Sequence, residues 1–115
     1  MSVHNRTRAT SLGETLLTLN KHFHRTLSYL NGGGIPNDCV LWISPCHSIY
    51  TVGLKTAVDI AFLDRNGKVV KLFRRFPPGC FADSTATAVS AIELPVDTLE
   101  KTGTSVGDLI EFDMS

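Results

Sequence analysis

AVDIAFLDRNGKVVKLFRR, residues 57–75, sets two apolar, β-branched runs on either side of Arg65-Asn66-Gly67. Asn-Gly between such runs is the strongest short-range signal for a β-hairpin, because both residues tolerate positive φ. In the first run Val58, Ile60 and Phe62 fall on one face, and Asp59 and Ala61 on the other. An aspartate inside such a run is often paired or hydrogen-bonded.

The segments around this hairpin read the same way. CVLWIS, from Cys39, is a short continuous apolar run and predicts a buried strand. Trp42 lies in it and is expected in the core near Phe62. HSIYTV follows Pro45, and TAVSAIEL and LIEFD supply further strands. FPPGCFADST is a loop, since two prolines remove backbone donors. VDTLEKTG predicts one helical turn, capped by Asp97 and stopped by Gly103.

The N-terminal third reads differently. Residues 1–12 are polar, with Arg6 and Arg8, and predict a flexible lead into a single domain over 13–115. Ser11 and Glu14 have the spacing of a helix capping box. A stripe of Leu16, Phe23, Leu27 and Leu30 predicts an N-terminal helix over about 20–30, with 14–19 open to either helix or strand. Asn31-Gly32-Gly33-Gly34 ends it. The expected architecture is therefore α+β and β-rich: a compact sandwich or partly closed barrel, one N-terminal helix and one helical turn near 97–103.

Composition narrows the function classes. Eleven Lys plus Arg balance eleven Asp plus Glu, which argues against a nucleic-acid or anionic-membrane binder. No window approaches a membrane span, and the N-terminus lacks the apolar core of a secretory signal. The expectation is a cytoplasmic protein. Cys39, Cys46 and Cys80 are odd in number and form no CxxC, which predicts three free thiols.

From Arg25 to Asp64 the blocks resemble the bacterial and archaeal family called domain of unknown function 192. Arg25 and Leu30 match its helix positions, and Pro45-Cys46, Ile49 and Thr51 its next block. Lys55, Asp59, Phe62, Asp64 and Gly67 match the hairpin block. Ala88 and Ile92-Glu93-Leu94-Pro95 match a later block, and Gly107-Asp108 the closing pair. Ser28, Tyr50 and Leu54 depart from a glycine, a histidine and a methionine. The resemblance implies a compact β-rich fold with a small helical part and no assigned activity.

Cys46 and His47 are strand neighbours and point to opposite faces, so they make a poor nucleophile–base pair. His22, His24, Cys39, Cys46, His47 and Cys80 show no zinc-finger spacing, and no metal or other cofactor is expected. Gly32-Gly33-Gly34 follows a helix and leads into a strand, unlike a phosphate loop. Lys71, Arg74 and Arg75 with Phe73 and Phe76 read as an amphipathic strand end rather than a single-strand nucleic-acid platform. The candidate pocket is Cys46, Tyr50, Lys55, Asp59 and Glu93. Arg25, Asp59, Gly107 and Asp108 are expected to be structural, with Arg25 tying the helix to Asp59. The functional expectation is a non-enzymatic binding or accessory module with a protein or small-molecule partner. The alternative is a small-molecule or hydrolytic enzyme around Cys46, Lys55 and Asp59.

Overall fold

The structure is a computed structural model and describes residues 1–19 and 34–113. The helix expected over 20–30, with Arg25, Ser28 and Leu30, lies outside the described residues, as does Asn31-Gly32-Gly33.

The centre is a five-stranded sheet in the order β3-β4-β9-β6-β7. Its members are β3 (Thr15–Leu19), β4 (Cys39–Ile43), β6 (Val58–Leu63), β7 (Val69–Phe76) and β9 (Ser90–Pro95). Neighbours pair antiparallel except β3 and β4, which run parallel with Leu17 opposite Leu41. β1 (Ser2–Asn5), β2 (Thr10–Gly13) and β10 (Ile110–Asp113) form a second sheet in the order β10-β1-β2. β5 (Ser48–Tyr50) and β8 (Phe81–Asp83) form a two-stranded ribbon. The helix α1 covers Thr98–Thr102.

The central sheet is covered on both faces, as its apolar runs require. On one face Leu41, Ile43, Ile60, Phe62 and Ala91 pack against Cys46, Leu54, and Ile49 and Ala82 of the ribbon. On the other, Val40, Ala61, Leu63, Ile92 and Leu94 pack against Val3, Leu12, Ile110 and Leu99 of α1. Every residue of β6 is buried, Asp59 included.

Three expectations are corrected here. The fold among the described residues is mostly strand, with α1 as its one helix, and its first nineteen residues hold no helix. Ser11 sits in β2 and Glu14 just before β3. Their side-chain oxygens are 3.2 Å apart, so the capping-box spacing serves a bend between strands. The sheets are open and do not close into a barrel. The polar lead, read as flexible over residues 1–12, carries β1 and most of β2, with Ser2 opposite Asp113. Strands of four mostly polar residues are too short to carry a periodic signal.

Trp42 is only partly buried and stacks on Phe112, ring centroids 4.8 Å apart. It lies on the sheet face opposite Phe62, so the expected contact does not form. Adjacent positions on β4 face opposite ways, and Leu41 and Ile43 take the Phe62 side.

The Asn66-Gly67 turn forms, with a division of labour the sequence did not reveal. Only Gly67 takes positive φ, at +82°, and a Cβ there would come within 2.8 Å of the Ile110 carbonyl oxygen. Asp64 Oδ1 accepts the amides of Asn66 and Lys68, both at 2.9 Å, and so fixes the turn from outside it.

Candidate functional site

The expected site residues separate onto different parts of the fold. Asp59 lies on the α1 face of the central sheet. Its Oδ1 accepts the Arg75 amide at 3.0 Å and its Oδ2 the Leu99 amide at 2.9 Å. Arg75 is a non-glycine residue at φ +50°, in a stretch where β7 places extra chain opposite Asp59. A bulge leaves backbone groups without ladder partners, and Asp59 supplies one. It also caps α1 from a distant strand. Asp97, expected to cap that helix, stands at φ +75° and makes no side-chain cap bond. Its carboxylate instead pairs with Arg75 at 2.8 Å. Gly103 stops the helix as expected, in the left-handed region.

Glu93 lies on the opposite face, because it alternates with Ile92 and Leu94. It stands between Leu41 of β4 and Ile60 of β6, fully buried. Neither carboxyl oxygen has a hydrogen-bond partner among the described residues. Burial pushes its pKa up to about 8. Cys46 shares this face. Burial pushes its thiol up to about 11, with Glu93 adding to the rise and a backbone hydrogen bond at Ser48 opposing it. A thiol held so high is a weak nucleophile at neutral pH.

Tyr50 faces outward on the ribbon, half exposed, with its ring 4.6 Å from that of Phe81. Lys55 is exposed in the loop before β6. The five residues therefore do not line one pocket. Cys46 and Glu93 meet on one face, Asp59 sits on the other, and Tyr50 and Lys55 point to the surface.

Gly107 and Asp108 lie in the turn that leads into β10. Gly107, at φ +98°, turns the chain into β10. Asp108 Oδ2 accepts from Asn5 Nδ2, Arg8 Nε and the Ser105 amide, tying β1 to that turn. Burial works to raise the Asp108 pKa, but the hydrogen bonds from Asn5, Ser105 and Arg8 and the Arg8 charge outweigh it and leave the pKa lowered. Asn5 is wholly buried and also donates to Thr104 Oγ1 at 2.9 Å. The sequence gives Asn5 no signal, since its partners lie about a hundred residues away.

All three cysteines are free. Alkylation of unreduced protein in denaturant should add three labels. In the native state at pH 8, Cys39 and Cys80 should react well before Cys46. Mass spectrometry reads both counts, and early labelling of Cys46 would show its thiol open to solvent.

A concave feature of the described surface lies elsewhere. An open cavity of about 280 Å³ is lined by Trp42, Leu63, Ile110 and Phe112 on its apolar side, with Ser44, Ser90, Asp64 and Arg65 among its polar groups. Four strand ends and the β6–β7 turn build it. Sequence reading passed it over because Trp42 and Phe112 come from strands that pair with different neighbours.

A β-rich domain with a central sheet covered on both faces and one small cavity at its edge is the class these features define. The chain belongs to the DUF192 family, described as an uncharacterized ACR, whose pattern matches residues 32–112. Two solved structures share the fold. One is a protein of unknown function from Novosphingobium aromaticivorans DSM 12444. It is 10% identical, with a TM-score of 0.75 over 96% of this chain and 82% of that one. The other is a candidate transcription regulator from Sinorhizobium meliloti 1021, 15% identical, with a TM-score of 0.77 over 96% and 89%. At such identities the likeness shows the fold alone. A comparison with curated proteins gives no match. No helix among the described residues is long and apolar enough to cross a membrane.

Proposed function

We propose that this domain is a non-enzymatic binding module and that the cavity beside Trp42 and Phe112 holds its ligand. The observation that carries this reading is the cavity itself, lined in about equal parts by apolar and polar residues at strand ends and the β6–β7 turn. Small-molecule sites combine apolar walls, which supply burial, with polar groups that fix orientation. Its volume of about 280 Å³ lies just below the usual range of ~300–1,000 Å³ and suits only a small metabolite. The enzyme reading gains nothing from the geometry. Both oxygens of Asp59 are engaged by amides on the face away from Cys46.

Trp42 is the single tryptophan of the chain, so its emission reports directly on the cavity. A screen of small metabolites against the folded protein should find at least one that shifts this emission saturably, and Phe112→Ala should weaken that compound's binding. A folded protein whose emission no metabolite shifts would overturn the reading.

A further inference from the structure

We infer that the cavity takes a small zwitterion with an apolar body, of the class of α-amino acids with an apolar side chain. This rests on the reading of the cavity as a ligand site and names what it recognises.

Two adjacent charged residues, Asp64 and Arg65, belong to its lining. Asp64 is held rigidly, since Oδ1 accepts the amides of Asn66 and Lys68 and its own amide donates to the Lys68 carbonyl. Oδ2 takes no hydrogen bond among the described residues and remains an acceptor for a ligand cation. The Arg65 guanidinium, one residue on, forms no ion pair among the described residues, and its planar fork suits a carboxylate.

A neutral apolar ligand would leave both groups unused. A simple anion would meet the Asp64 carboxylate, and a simple cation the Arg65 guanidinium. A ligand with an ammonium and a carboxylate on neighbouring atoms satisfies both. Its side chain then lies on Trp42, Leu63, Ile110 and Phe112, where burial supplies the non-directional part of the affinity. The turn carrying both charges is fixed to β10 by the Ile110 amide donating to the Gly67 carbonyl, so charged and apolar parts keep a set spacing.

The test uses the full chain and follows Trp42 emission and calorimetry with five probes. L-Leucine and L-phenylalanine carry both charges. Leucinamide keeps only the cation, N-acetyl-leucine only the anion, and N-acetyl-leucinamide neither. One of the two amino acids should bind at least tenfold tighter than every blocked compound. Arg65→Ala, at an exposed turn position, should remove the preference over leucinamide without moving the melting temperature. Equal binding of the neutral compound would overturn this inference and leave the cavity reading standing. Silence from all five probes, while another metabolite shifts the emission, would do the same. Silence from every compound tried would remove both.

Discussion

Asp59→Ala should lower the stability of the domain by about 2–5 kcal/mol. The carboxylate accepts two amides, those of Arg75 in the β7 bulge and Leu99 in the first turn of α1. Leaving a buried donor unsatisfied costs ~1–3 kcal/mol each, against a total of ~5–15 kcal/mol for a typical domain. Asp59→Asn keeps one acceptor oxygen and should lose roughly half as much. Urea unfolding of the three proteins makes the comparison. A loss under about 1 kcal/mol for Asp59→Ala would mean that the two amides find other partners, and that Asp59 is free for another role.

The second large effect is a dependence on pH. Glu93 has a folded-state pKa of about 8 against an ordinary value of 4.5. Between those values the native state holds a proton that the unfolded chain has released. Stability should therefore fall as pH rises through this window and level off above about 8. A slope approaching ~1.4 kcal/mol per pH unit makes the total a few kcal/mol. Glu93→Gln cannot ionise and should flatten the curve. Glu93→Leu, set between Leu41 and Ile60, should also flatten it and be the more stable protein at pH 8. Asp108 acts in a separate window and with the other sign. Its lowered pKa contributes stability that is lost as pH falls below the ordinary aspartate range of about 4. Denaturant midpoints at pH 5, 6.5 and 8 decide the case of Glu93. A wild-type curve that is flat across them would show that Glu93 is ionised and paired.

Much of the central sheet was legible because its strands obey local rules. β4, β6, β7 and β9 are short apolar runs between turn residues, and Asn66-Gly67 marks the hairpin. The stop at Gly103 was also local. What failed depended on partners distant in sequence. β3, TLLTL, fits a helical or a strand period over so few residues, and its parallel pairing with β4 decided for strand. The cap of α1 looked local, at Asp97, and is supplied from β6 by Asp59. Glu93 was named through the family block Ile92-Glu93-Leu94-Pro95 and as a pocket residue, and it is buried in the central sheet. The sequence could not show that it and Asp59 stand on opposite faces of one sheet.

The pairing of β1 with β10 sets an order on synthesis. Ser2 cannot meet Asp113 until every residue between them has been made. At ~5–20 residues per second the first strand waits roughly 5 to 20 s for its partner. Until then β1 has only β2 beside it, and an edge left open that long invites pairing with other chains if it is apolar. Ser2-Val3-His4-Asn5 offers one apolar side chain, Val3. The polar make-up that hides β1 from a search for periodicity is thus what lets the newborn chain keep it exposed safely until β10 arrives.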